Sequence, residues 1–241
     1  MKGIIVKEII KDREVFIYLP TDYNISNKDY PVVYIQDGDE IIKHKEEFFC
    51  ELEKDDIKFI GVLIPPKNRL NEYTPWYSEG LSEKTPDFLG DGDKYLNFLC
   101  NDIKKIIDSK YRTKKDKKST SIIGASLGGL ISVYALYTKS DIFGSAVCVS
   151  GSFWYKDILK FLEESEINIK DKKIFMSIGE DEDHCKSKYY DHIHMLDNNL
   201  KAYEILKLKC SNDNVYIKID KSTTHCIKYF LPNLVLGIKW I

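Results

Sequence analysis

Short runs of β-branched and apolar residues alternate along this chain with stretches of helical spacing. Residues 3–10 and 14–19 are such runs, stopping at Pro20 and an Asp/Asn-containing turn, and they predict a pair of N-terminal strands. Pro31-Val32-Val33-Tyr34-Ile35-Gln36, ended by Asp37-Gly38, predicts a strand buried on both faces. A helix is expected over 41–54, and a second buried strand over 57–64, stopped by Pro65-Pro66. Between 91 and 111, Tyr95, Leu96, Leu99, Ile103, Ile106 and Ile107 fall at the spacing of an amphipathic helix. The pattern then predicts a strand at 119–125, a helix at 127–137, and strands at 145–149 and 173–178. A helix within 187–208, a strand at 215–219 and a closing helix at 226–240 complete it.

Strands alternating with helices imply an α/β fold, a mostly parallel central sheet with helices on both faces. Neither a repeat nor a low-complexity linker divides residues 1–241, so one domain is expected. Only 67–90 resists a periodic reading. It is rich in Pro, Gly, Tyr and Trp, and a long aromatic loop inside a compact domain is a candidate functional element.

Composition narrows the function classes. The net charge is −2 with both signs interspersed, so no basic face for nucleic acid is expected. Lys114-Lys115-Asp116-Lys117-Lys118 reads as a solvated connector before a buried strand. Six cysteines show no CxxC pair, the N-terminus lacks the apolar core of a signal peptide, and no apolar run has membrane-spanning length. A reduced, cytoplasmic protein with free thiols and no membrane partner is the expectation.

Gly124-Ala125-Ser126-Leu127-Gly128-Gly129 carries the chemistry. It matches G-x-S-x-G between an apolar strand and a buried helix. A serine at so sharp a turn needs small neighbours, and the turn lifts its hydroxyl above the sheet, with the following N–H groups facing a reacting carbonyl. A serine hydroxyl is a poor nucleophile and needs a base. Of five histidines, His225 alone sits in a loop directly after the last predicted strand, where the carboxyl ends of a parallel sheet build a site. The orienting acid should lie between them in the chain. Gly179-Glu180-Asp181-Glu182-Asp183 offers four carboxylates, with Glu182 and Asp183 the two candidates. Asp183, His184, Cys185, Asp191, His192 and His194 could be read as metal ligands. On a helix His192 and His194 would face nearly opposite sides, so no metal and no other cofactor is expected.

At these residues the chain resembles the putative-esterase (esterase D) family of α/β hydrolases. That family includes enterochelin esterases, S-formylglutathione hydrolases and mycolyltransferases. The resemblance rests on Val15–Pro20, Val33–Gly38, the Gly124–Gly129 turn, Ser150-Gly151-Ser152-Phe153-Trp154, Gly179-x-x-Glu182 and the His225 loop. It implies the α/β-hydrolase fold, favours Glu182 as the acid, and implies an oxyanion hole from the backbone N–H groups of Leu127 and Asp39. The loop Asn68–Tyr73 and the Ser-Phe-Trp segment are most similar to the enterochelin-esterase branch, where these parts line the substrate pocket.

Arg69 lies in the aromatic loop with Tyr73, Trp76 and Tyr77, and a guanidinium among aromatics suits a carboxylate, phosphate or catecholate oxygen. A salt bridge to Glu72 or another neighbour is the competing reading. Trp154 either completes an aromatic wall or packs in the core. The expected substrate is a small-molecule carboxylic ester, from short acyl esters to a siderophore-type lactone, cleaved through an acyl-enzyme. Two rivals stand beside this: acyl transfer to a bound alcohol, and a binding protein on a hydrolase scaffold.

Overall fold

The computed structural model describes residues 1–182 and 194–241. An eight-stranded sheet runs through it: β1 (Ile4–Ile10), β2 (Arg13–Leu19), β3 (Val32–Gln36), β4 (Ile60–Ile64), β5 (Thr120–Ala125), β6 (Ser145–Val149), β7 (Lys173–Gly179) and β8 (Val215–Asp220). The strands lie in the order β1-β2-β4-β3-β5-β6-β7-β8. β1–β2 and β2–β4 are antiparallel; every later pairing is parallel. Between them stand α1 (Gly38–Lys43), α2 (Lys45–Lys54), α3 (Arg69–Glu72), α4 (Gly92–Phe98), α5 (Lys104–Lys110), α6 (Leu127–Thr138), α7 (Ile158–Glu164), α8 (Met195–Lys209) and α9 (Ile227–Trp240).

Side chains of a strand alternate between faces, so the central strands supply two cores. Val32, Tyr34, Ile122, Ala146, Cys148, Ile174 and Met176 pack with helices α4 to α8 on one side. Val33, Ile35, Ile123, Val147, Val149 and Phe175 pack with α1, α2 and α9 on the other. β3, β5 and β6 are buried along their whole length, which is why they read as unbroken apolar runs. α6 is likewise buried from Leu127 to Tyr137, since it lies under other helices rather than on the surface.

The departures from the sequence reading have physical reasons. The helix expected over 41–54 is two, α1 and α2, meeting at His44, whose backbone (φ −109°, ψ 18°) turns the chain so that Ile41 and the Phe48/Phe49/Leu52 face are both buried. The helix expected over 91–111 is interrupted by a π-helical turn at Leu99–Ile103. β4 starts only at Ile60, because Ile57 still closes the turn after α2 through its N–H to Leu52. α7 escaped detection because seven residues with two buried side chains, Ile158 and Leu162, are too few to show a period. The aromatic loop is an ordered structure. Ser78 and Phe88 form a bridge, the Trp76 indole N–H donates to the Lys156 carbonyl at 2.9 Å, and the Tyr155 hydroxyl donates to the Trp76 carbonyl.

The described cysteines, at 50, 100, 148, 210 and 226, are free thiols. Among the described residues no helix is long and apolar enough to cross a membrane.

α9 approaches the sheet closely at Gly237, where an added Cβ would lie 2.3 Å from Val147 Cγ1 and 2.9 Å from Phe175 Cδ1. Gly237→Val is therefore expected to destabilise the fold by about 2–3 kcal/mol through overpacking. In thermal unfolding this should appear as a Tm roughly 4–12 °C lower.

Candidate active site

The site is built at the carboxyl ends of β3, β5, β7 and β8. Ser126 follows β5 directly and caps α6 with φ 57° and ψ −121°, a region sparsely populated by residues other than glycine. Its neighbours make the turn possible. A Cβ on Gly124 would meet the Gly128 carbonyl carbon at 2.5 Å, and one on Gly129 would meet Cys148 Sγ at 2.8 Å. The turn is held by the Ser126 N–H to the Val149 carbonyl at 2.9 Å and the Leu130 N–H to the Ser126 carbonyl at 3.0 Å.

His225, in the loop between β8 and α9, places Nε2 3.0 Å from Ser126 Oγ and Nδ1 2.8 Å from Glu182 Oε2. In the tautomer that carries its proton on Nδ1, His225 donates to Glu182 and leaves the Nε2 lone pair to accept from the serine hydroxyl. The Phe230 ring stands edge-on to the imidazole at 4.8 Å. Glu182 is buried, and its Oε1 accepts from the Ser150 hydroxyl at 2.6 Å and the Gly179 N–H at 2.9 Å. The carboxylate is thus fixed from both ends. Gly179 is glycine because a Cβ there would strike Thr223 at 2.3 Å, in the loop that carries His225. Asp183, the other candidate acid, lies outside the described residues, as do His184, Cys185, Asp191 and His192.

Leu127 is the first residue of α6 and Asp39 the second of α1. The opening N–H groups of a helix have no acceptor within it. The two helices start from β3 and β5, which are paired neighbours in the sheet. This arrangement brings the two proposed oxyanion donors to one end of adjoining strands.

The expected substrate-binding residues are placed differently from one another. Arg69 lines a cavity of about 450 Å³ together with Asp39, Ala125, Ile227, Phe230 and Leu234. Its guanidinium is engaged by protein groups: Nε donates to Asp37 Oδ1 at 2.7 Å, and Nη2 to Asp37 Oδ2 at 3.0 Å and to the Ala125 carbonyl at 3.2 Å. Its partner is Asp37 and not Glu72, which is taken by Arg13. Burial raises the Asp37 carboxyl above its ordinary range, with Arg69 opposing the shift. For Tyr73 the expectation of substrate contact is corrected. The side chain is 0% exposed, and its hydroxyl accepts the Asp37 N–H at 2.9 Å. Trp76 packs against Tyr134, Tyr155 and Phe161, and Trp154 against Phe88 and Tyr155, so both belong to the aromatic packing that anchors the loop.

Sequence reasoning missed three residues around the site. Ser150, with φ 49°, holds Glu182. Ser152 Oγ lies 3.2 Å from Ser126 Oγ, and its own burial is complete. Asp37, with φ 53°, pairs with Arg69. The sole signal for any of them was membership in the stretches Ser150–Trp154 and Val33–Gly38, which carry no role by themselves.

Fold and site together define an α/β hydrolase, and comparison with known proteins agrees. The model of the family described as putative esterase matches residues 7–237. An uncharacterised protein of Bacillus subtilis (strain 168), YbbA, is 32% identical over 246 residues, covering 100% of this chain and 97% of that protein. The ferri-bacillibactin esterase BesA of the same organism is 35% identical over 123 residues, 48% of this chain and 40% of its own. Among solved structures, an IroE-like serine hydrolase from Shewanella oneidensis superposes with a TM-score of 0.82 at 22% identity, covering 98% of this chain and 79% of that one. The chain belongs to the esterase family that its sequence resembles, and is a carboxylic-ester hydrolase.

The tightness of the turn has a measurable consequence. Gly124→Ala sets a methyl group against backbone, which cannot move aside as a side chain would. A loss of about 3 kcal/mol, toward the upper end for overpacking, is expected in urea unfolding at 25 °C.

Proposed function

We propose that the chain hydrolyses carboxylic esters through an acyl-enzyme, with Ser126 as nucleophile, His225 as general base and acid, and Glu182 as the acid that orients and stabilises the imidazolium. The observation that carries this reading is the continuous chain of contacts from Ser126 Oγ through both ring nitrogens of His225 to Glu182. His225 Nε2 takes the hydroxyl proton as Oγ bonds to the ester carbonyl carbon. The carbonyl oxygen becomes an oxyanion, received by the N–H groups of Leu127 and Asp39. As the tetrahedral centre collapses, the bond to the alcohol oxygen breaks, and the proton on Nε2 passes to that leaving alcohol. Water then enters, loses a proton to Nε2 and attacks the acyl carbon. Collapse restores the Ser126 hydroxyl and releases the acid.

For the substrate, we infer an ester of the siderophore-lactone kind. BesA, which matches about half of this chain, is a ferri-bacillibactin esterase, and a cavity of about 450 Å³ beside the serine turn has room for a substituted acyl group.

Fluorophosphonate labelling and p-nitrophenyl acetate hydrolysis test the assignment. Ser126→Ala should abolish labelling and lower kcat by on the order of 10⁵–10⁶. Wild-type rates in that variant would move the nucleophile elsewhere. Glu182→Gln keeps the shape but removes the charge that selects the tautomer, and a fall in kcat of roughly 10³–10⁴ is expected. A panel of siderophore lactones against short acyl esters, ranked by kcat/KM, tests the substrate; preference for the short esters would refute the siderophore reading.

A further inference from the structure

Arg69 lines the cavity, and its guanidinium nitrogens donate to protein groups. Two of its nitrogens grip the Asp37 carboxylate in a bidentate pair at 2.7 and 3.0 Å, and Nη2 also donates to the carbonyl of Ala125, the residue before Ser126, at 3.2 Å. One side chain therefore ties the turn after β3 to the turn after β5.

Asp37 is fully used in the same arrangement. Its backbone adopts the left-handed region (φ 53°, ψ 45°), its N–H donates to Tyr73 Oη at 2.9 Å, and its carbonyl accepts from the N–H groups of Glu40 and Ile41 at 2.9 and 3.2 Å. The carboxylate also lies against the start of α6, since a Cβ on Gly128 would sit 3.2 Å from Oδ2. On the other side the turn rests on β4: a Cβ on Gly38 would meet the Ile64 backbone nitrogen at 2.4 Å. The segments so joined, 37–39 and 125–128, are those that bear the N–H groups of Asp39 and Leu127.

We propose that Arg69, acting through Asp37 and the Ala125 carbonyl, is a positioning residue that sets the separation of the two oxyanion donors, and that it serves the rate of reaction and not the affinity for substrate. The proposal rests on the triad and oxyanion assignment made above. Its physical basis is that donors stabilise a developing oxyanion only when they are held at hydrogen-bond distance before the charge appears. A bidentate guanidinium–carboxylate pair is suited to that task because it fixes orientation as well as distance. A lysine offers a point charge without the planar fork, so it should restore the attraction but not the geometry.

The test compares wild type with Arg69→Met, Arg69→Lys, Asp37→Asn and the Arg69→Met/Asp37→Asn double variant. Each is assayed for kcat and KM on p-nitrophenyl acetate and on the anionic p-nitrophenyl hemisuccinate, for inhibition by an alkyl trifluoromethyl ketone, and for Tm. The ketone reports directly on the donors, because it adds to the serine and leaves an oxyanion. For Arg69→Met the expected kcat is lower by roughly 10–10³-fold, the range up to loss of one oxyanion donor. KM should move by less than about 3-fold on both esters, and affinity for the ketone should weaken by the same factor as kcat. Arg69→Lys should fall between, and the double variant should be no slower than the slower single variant.

A KM raised selectively for the hemisuccinate, with kcat kept, would make Arg69 a substrate contact and overturn the proposal. So would a kcat loss with unchanged ketone affinity, or an activity loss that only follows the folded fraction. If Arg69→Met does not fold, Arg69→Lys supplies the same comparison. Ser126→Ala, assayed in parallel, separates the two levels: a labelled Ser126→Ala protein removes the triad reading itself. A failed Arg69 result with labelling still dependent on Ser126 removes only the clamp.

Discussion

The structure depends on one turn of backbone, at Ser126. A non-glycine residue held at φ 57° and ψ −121° is a strained conformation, on the order of 1–3 kcal/mol unfavourable by itself. It persists because everything around it leaves no alternative. β5 and α6 are both buried along their length, so neither end of the turn can shift without disturbing the core. Glycine at 124 lets β5 and the start of α6 close on each other, and glycine at 128 and 129 lets the helix start approach Gln36, Asp37 and Cys148. The strain is thus supported by the apolar mass of the sheet.

From that turn the rest of the site follows by topology. Parallel strands place all their following loops at one end of the sheet, and the strand order brings the ends of β5, β6, β7 and β8 side by side. Ser126 leaves β5, Ser150 and Ser152 leave β6, Glu182 leaves β7 and His225 leaves β8. Residues 99 positions apart in the chain, Ser126 and His225, meet at 3.0 Å for this reason. The group after β6 orients the one after β7, which orients the one after β8, and that one turns back to the residue after β5. Ser150 and Gly179 fix the far oxygen of Glu182, Glu182 fixes the Nδ1 face of His225, and His225 faces Ser126.

On the opposite side of Ser126, β3 delivers the turn at 37–39, and the aromatic loop delivers Arg69. That loop, the one long segment without periodicity, is ordered by Trp76, Phe88, Trp154 and Tyr155 packing on one another. These four aromatic side chains work as internal scaffolding, and the cavity beside the serine turn takes apolar lining from Ile227, Phe230 and Leu234 of α9. The family relationship covers residues 7–237, nearly the whole chain.

Apolar runs determined the central strands, because burial on two faces leaves unbroken stretches such as Val32–Ile35 and Ile122–Ala125, and they determined α6 for the same reason. The glycine pattern around Ser126 and the place of His225 after the last strand were also legible, since each records a local backbone requirement. What the linear order could not hold is which polar groups face one another. Arg69 among aromatic residues suggested either a ligand contact or a salt bridge to Glu72 or another neighbour, and the fold pairs it with Asp37 and the Ala125 carbonyl. Tyr73 is wholly buried beneath the same turn, and Ser150 reaches Glu182 only because β6 and β7 are adjacent. Local geometry is written in local sequence; partners in a hydrogen-bond network are chosen by the packing of segments far apart in the chain, so tertiary structure alone decided them.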